Sequence, residues 1–287
     1  LPFARFVSYL HRAFGSPSIS TFTRALSRGF IHGIPTLTAS LVRKFPPLSL
    51  STSFGHLDLL RQGIASTRKL CPDAILGPVI PSIPRTSPRI LPFPVDSPLP
   101  SRAVTWFRRD SPVPRKDWSA ADLTGRFPIP SRLGHQYLLI ILHHNYVHYI
   151  PMTSRTSSSY VSAFKSACFF FSSHSHPLTH LILDNETSEE LSNFFLQSSP
   201  RIHFQHVPPA NHRANPAERA IRTAKNHLIS TLSSTHISFP PDCWHLLLPH
   251  AELTLNHFRS FSLDPSVSAW HGLHRSPHNF ASHPLHP

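Results

Sequence analysis

Three acidic residues are placed where they could do chemistry: Asp122 in SAADLTG, Asp184 in LILDNE and Glu218 in NPAERA. Carboxylates brought together hold pairs of Mg²⁺ or Mn²⁺ ions roughly 3.5–4 Å apart, the arrangement that runs phosphoryl transfer. One ion activates the attacking oxygen and the other steadies the leaving one. Without cations, three grouped carboxylates repel and some take up protons. The rest of the chain suits such an acid cluster. Its 14 acids face 27 Lys and Arg, for a net charge of +13, and the pI is near 10.6. That balance points to a polyanionic partner, either nucleic acid or an acidic membrane surface. Each acid also has a plainer reading. Asp122 is a turn residue by type, Asp184-Asn185 is a loop-forming pair before a helix, and Glu218 occupies the place of a capping acid.

The elements that must position these acids are read from periodicity. A short strand over Ala120–Thr124 carries Asp122. Tyr137–Leu142 and Tyr146–Met152, separated by His-His-Asn, read as a hairpin. Thr156–Phe171 is a helix with Tyr160, Phe164, Ala167, Cys168 and Phe171 on one face. Thr179–Leu183 is an apolar strand delivering Asp184 at its end. Thr187 is expected to cap the next helix, with Glu190 three residues on, and Ile202–Val207 is a further strand. Asn215-Pro216-Ala217-Glu218 supplies an N-cap, a proline at the first helical position and an acid at the third. A last helix is expected over Asp242–Phe258, and no period is visible after Arg259. Three strands, helix, strand, helix, strand, then two helices is the element order of an RNase H-like α/β domain with a mixed sheet.

In the helix that begins near Glu218, Ala217, Ile221, Ala224, Leu228 and Leu232 form a stripe for the core. Glu218, Arg222 and Lys225 follow the other side, with Arg219 beside them. That side is either a solvated face with local ion pairs or a run of cations along a nucleic-acid backbone, positioning it without reading its sequence.

Four regions are expected: a basic helical segment over 1–70, a linker over 71–117, the RNase H-like unit over 118–270 and a tail over 271–287. Phe3, Phe6, Val7, Leu10 and Phe14 recur at helical spacing in the first, and a second helical run covers Leu57–Ile64. The linker holds eight prolines between Pro78 and Pro100, which favours extended, polyproline-like chain. Charge is uneven, +11 over residues 1–118 and +2 over 119–287.

Cys71, Cys168 and Cys243 have no short spacing, so neither a disulfide framework nor a zinc site built on cysteine pairs is expected; a reducing intracellular compartment fits. No apolar run reaches the 18 or so residues of a membrane span, and the first fifteen residues are not a secretory signal. Twenty of the 23 histidines follow residue 118, including HHNYVH and HSHPLTH; they read as compositional bias, with His212 kept as a DNA contact. The chain starts at Leu1 with its only methionine at 152, and is expected to be a processed product or a fragment of a longer reading frame.

The segments DLTGRFPIPSRLGHQY, LDNETSEEL and VPPANHRANPAERAIRTAKNHLI, with HAELTLNHFRS, resemble the integrase catalytic core of Copia-type retrotransposon Pol polyproteins. The resemblance covers residues 118–270. It implies an Asp-Asp-Glu triad of Asp122, Asp184 and Glu218, with Asp122 bridging two Mg²⁺ (or Mn²⁺) ions and the other two acids holding one each. The implied reaction is DNA integration: water trims the element's 3′ end, and the new 3′-OH then attacks a target phosphodiester. Implied partners are the element ends and target DNA, contacted by Asn211, His212, Arg213, Arg219, Arg222 and Lys225. Further copies of the chain are implied in the active complex, no membrane is involved, and the nucleus is the site of action. YLHRAFGSPSIST and GHLDLLRQGIASTR resemble the region preceding such cores. Some relatives carry a His-His-Cys-Cys zinc site there; here His11 and His56 are followed by no cysteine pair, so no structural zinc is expected. Two other readings stand beside this one: an inactive remnant that only binds nucleic acid, and a related nuclease that cleaves without joining.

Overall fold

The computed structural model describes residues 3–55, 57, 118–183, 188–206 and 216–282. In chain order the elements are α1 (Phe3–Ala13), α2 (Ile19–Ser27), α3 (Ala39–Lys44), α4 (Leu50–Gly55), β1 (Ser119–Leu123), β2 (Tyr137–His143), β3 (Tyr146–Met152), α5 (Ser157–Ser173), β4 (His180–Leu183), α6 (Glu189–Gln197), β5 (His203–His206), α7 (Pro216–Ser234), a 3-10 helix (Pro241–Leu247), α8 (Leu248–His257) and α9 (Ala269–His274). The expected linker over 71–117, with Cys71, lies outside the described residues, as do most of the Leu57–Ile64 run and the last five residues.

The five strands form one sheet in the order β3-β2-β1-β4-β5. β1, β2 and β3 pair antiparallel, while β4 joins β1 in parallel and β5 joins β4 in parallel. This mixed sheet is the RNase H-like arrangement. The β2–β3 turn reduces to His144 and Asn145, both at positive φ (47° and 68°), the backbone that tight hairpins need and asparagine tolerates.

Helices cover both faces of the sheet, which is why YLLIIL is apolar throughout instead of alternating. Leu139 and Ile141 face Phe164, Phe171, Leu191 and Phe195 of α5 and α6. Leu138 and Ile140 face Ala220, Ala224 and Leu228 of α7 and Leu248, Ala251 and Leu255 of α8. A third cluster joins Val7, Phe14, Phe22 and Val42 of the amino-terminal helices to Phe258 and Phe280.

The outer edge of β3 is closed by side chains. Glu252 Oε2 accepts the Tyr149 N–H (3.0 Å), and Asn256 Oδ1 accepts the Val147 N–H (2.8 Å). Asn256 Nδ2 returns a bond to the Val147 carbonyl (2.8 Å). Tyr146 Oη donates to Glu252 Oε1 (2.8 Å), and His148 Nδ1 lies 2.9 Å from the same oxygen. Proximity to this carboxylate adds to burial in raising the Tyr146 hydroxyl well above its usual range. Leaving edge-strand donors unmet in a buried place costs free energy, so this glutamate is a structural group.

Several elements differ from expectation. The cap of α6 is Ser188, whose side chain accepts from the Leu191 N–H, one residue later than the expected Thr187, which lies outside the described residues; this frame sends Leu191 and Phe195 into the core. The single helix expected over Asp242–Phe258 is a 3-10 turn followed by α8. Pro249, at the start of α8, has no N–H to continue a helical ladder from the preceding turn. The stretch after Arg259 is structured: Ser268 caps α9, and a bridge pairs His32 with Asn279. Among the described residues no helix is long and apolar enough to cross a membrane.

Candidate active site

β1 is the central strand, and its fourth residue is Asp122. Ala121 and Leu123 belong to the core under α5 and α6, so alternation turns Asp122 toward the opposite face. Its partner in register is Ile140, which packs under α7, and paired residues on neighbouring strands share a face. Asp122 is half-buried, and its Oδ1 accepts the Leu123 N–H at 2.7 Å.

Glu218 is the third residue of α7 and the acid of its first turn, where the helix dipole favours negative charge. It is half-buried. α7 packs directly on β1 and β2. The two described acids therefore come from elements in contact, on one side of the sheet. The third, Asp184, lies outside the described residues. The register pairs Ala121 with Leu183, so the next residue along each chain is an acid.

Beyond Glu218, Arg219 and Arg222 are exposed and Lys225 half-buried. Among the described residues no ion pair ties Glu218 to Arg222 or Lys225; the pairs present are Arg132–Asp242 and His148–Glu252. The local ion-pair reading of this face is thus not what the side chains do. Asn211, His212 and Arg213 lie outside the described residues.

The donor set is all carboxylate, the hard-oxygen chemistry that suits Mg²⁺ or Mn²⁺. Among the described residues no three His, Cys, Asp or Glu gather as a metal site, and the histidine runs form none. Burial drives His143, His227 and His257 down to about 3, and His274 to about 4. These rings are neutral at pH 7 and add nothing to the basic charge. Cys168 is half-buried and burial pushes its thiol up to about 11, which leaves it inert.

Sequence reasoning missed two groups near this face. Glu252 and Asn256 stand one turn apart in α8 among His250, Thr254 and His257, so neither breaks an apolar pattern that would have marked it. Arg259 follows α8, and its Nε donates to the Asn145 carbonyl (2.7 Å) while a terminal nitrogen donates to Asn145 Oδ1. Nothing in its local sequence announces that bond.

Neither a protein-family profile nor a curated protein sequence matches the chain. Among solved structures it is similar to the HTLV-2 integrase catalytic core domain in complex with magnesium, at 23% identity over 56% of this chain and 97% of that one, with a TM-score of 0.40. It is similar to the catalytic core domain of BIV integrase at 15% identity, over 55% of this chain and 93% of that one, with a TM-score of 0.39. A simian T-cell lymphotropic virus intasome in complex with PP2A regulatory subunit B56 gamma is 21% identical, with a TM-score of 0.39; the match covers 57% of this chain and 57% of that one. It is the strand order and register, and not these likenesses, that establish an RNase H-like fold.

Proposed function

We propose that the chain is the catalytic core of a DNA-joining polynucleotidyl transferase, an integrase of a retrovirus-like or Copia-type element. One observation carries this reading. Asp122 on the central strand turns toward the face on which the Glu218 helix packs. That helix continues into cations at Arg222 and Lys225 that pair with no acid among the described residues. Asp184, next in the chain after a residue registered with Ala121, completes the acid set.

Asp122, Asp184 and Glu218 would hold Mg²⁺ or Mn²⁺, two ions in this reading. When bound, such ions supply Lewis acidity to the phosphoryl oxygens and activate the attacking oxygen. Arg219, Arg222 and Lys225, with Asn211, His212 and Arg213, hold the phosphodiester backbone in line with the acids, and positioning of this kind removes much of the barrier. In the first step a water oxygen bonds to phosphorus as the P–O3′ bond breaks, freeing the element's 3′ end. In the second that 3′ hydroxyl bonds to a target phosphorus, and the target's own 3′ oxygen leaves. Further copies of the chain in the active complex and a nuclear site of action belong to the same reading.

The test is incubation with Mg²⁺, labelled element-end duplexes and a plasmid target. Joined product is the expected result. Cleavage without joining would instead make the chain a nuclease, and DNA retention without reaction would make it an inactive binding remnant.

A further inference from the structure

The turn between α1 and α2 presses against α7. Gly15 sits at φ +74°, and a Cβ there would stand 2.5 Å from Thr231 Oγ1 and 2.8 Å from a ring carbon of His227. Ser230 Oγ donates to the Gly15 carbonyl (2.7 Å), and the Ser16 and Ser234 hydroxyls meet at 2.7 Å. His250 Nε2 donates to the Ala13 carbonyl at 2.8 Å. Polar groups more than 200 residues apart are thus locked together, which fixes α2 beside α7 and α8.

Between these elements lies an open cleft of about 440 Å³, within the roughly 300–1,000 Å³ typical of small-ligand sites. Arg24 enters it from α2, Arg222 and Asn226 from α7, and Arg259 from beyond α8. Ser18 and Thr21 add a pair of hydroxyls 2.9 Å apart. Among the described residues no carboxylate lines the cleft, and none pairs with any of the three arginines. Burial lowers Arg259 only to about 10, so it stays charged at neutral pH. His227, also in the wall, is neutral. Three like charges around one space repel one another, and an anion among them relieves that repulsion. The guanidinium forks of Arg24 and Arg222 match phosphate oxygens in pairs, while Arg259, whose Nε and one terminal nitrogen are bonded to Asn145, contributes its charge and its other terminal nitrogen.

We propose that this cleft binds phosphate groups through Arg24, Arg222 and Arg259, with the amino-terminal helices supplying part of the site. It shares Arg222 with the DNA-positioning stripe but does not depend on the acids, so a chain with no joining activity would still bind phosphate here. The phosphates come either from a nucleic-acid backbone leaving the α7 stripe or from a free polyphosphate.

Arg24→Glu in the full chain tests the proposal, because this side chain is exposed and lies apart from the acids. Pyrophosphate binding by calorimetry is expected to weaken at least about tenfold, the scale of one charge-assisted hydrogen bond. Arg24→Gln is expected to weaken it less while keeping the wild-type melting temperature. Arg43→Glu on α3, an exposed charge reversal outside the cleft, is expected to leave it unchanged. If the source is nucleic acid, Arg24→Glu also flattens the log–log salt dependence of duplex binding by about 0.9 for each phosphate that is no longer neutralised. Weakened pyrophosphate binding with unchanged duplex binding assigns the site to a free polyphosphate. Unchanged binding of both ligands overturns the proposal, and so does an equal weakening by Arg43→Glu.

Discussion

Asp122→Asn is expected to lower DNA joining by on the order of a thousandfold while duplex retention survives. An amide is nearly the same size as the carboxylate, and its oxygen still accepts the Leu123 N–H that Asp122 holds at 2.7 Å. The strand should therefore fold unchanged between β2 and β4. What is lost is one negative hard-oxygen donor, and metal-assisted stabilisation of phosphoryl transfer is worth several kcal/mol. At about 1.4 kcal/mol per factor of ten, several kcal/mol corresponds to at least a thousandfold in rate. The cations at Arg219, Arg222 and Lys225 remain, so backbone contacts persist. Gel-based strand transfer and fluorescence anisotropy on the same preparation check both halves. Equal loss of joining and retention would count against the role assigned to Asp122.

The second large effect is on stability. Lowering the pH from 7.5 to 5 is expected to reduce the melting temperature by more than about 10 °C. Burial, with smaller contributions from neighbouring rings, holds three histidines at about 3 in the folded chain, against about 6.5 when unfolded. His143 sits against His144, His176 and the Ser119 hydroxyl. His227 faces His250 and bonds Thr254. His257 faces His278, His32 and His274 and donates to the Leu253 carbonyl. The folded pKa lies below the unfolded one, so below pH 6.5 the unfolded chain binds more protons. Their stabilisation is complete above pH 6.5 and fades as the pH falls toward 3. At pH 5 each histidine forfeits about 2 kcal/mol, together a large share of the roughly 5–15 kcal/mol that holds an ordinary domain together. Ordinary carboxylates titrate near pH 4, so the interval from 6.5 to 5 belongs to the histidines. A melting temperature flat across that interval would show these rings to be accessible to protons in the folded state.

The hairpin was readable because two apolar runs with Ile and Val, separated by turn residues, have few alternatives. The strand carrying Asp122, SAADL, has no β-branched residue and was legible only as a short apolar run before Thr124-Gly125. The face of α7 was only half readable. Ala224 and Leu228 do meet the sheet, but Ala220, outside the expected stripe, is in the core with them, and His227, Ser230 and Thr231 are buried as well. Those polar residues are satisfied by Thr254, by backbone carbonyls of α7 itself and, for Ser230, by Gly15. A partner some 215 residues away leaves no trace in the local helical period. Pro249 dividing the last long helix was visible in principle, since a proline inside a helical pattern ends the ladder before it. Glu252 was hidden for a different reason. A glutamate in a helix reads as a surface residue, and only the open edge of β3 makes its burial favourable.

For the site, the residue types and their elements were legible, whereas the convergence of side chains was not. Asp122 and Glu218 lie on the strand and helix expected for them, and the register shows that Asp122 faces α7. Asp184 and residues 211–213 lie outside the described residues, so their part in the site is proposed from their place in the chain.

Whether Asp122, Asp184 and Glu218 meet around divalent cations is tested most directly by anomalous diffraction from crystals of the full chain grown with Mn²⁺. Two peaks about 3.5–4 Å apart are expected, bounded by the carboxylates of all three acids. Mn²⁺ bound only elsewhere, or a Glu218 carboxylate directed away from Asp122 and Asp184, would contradict it.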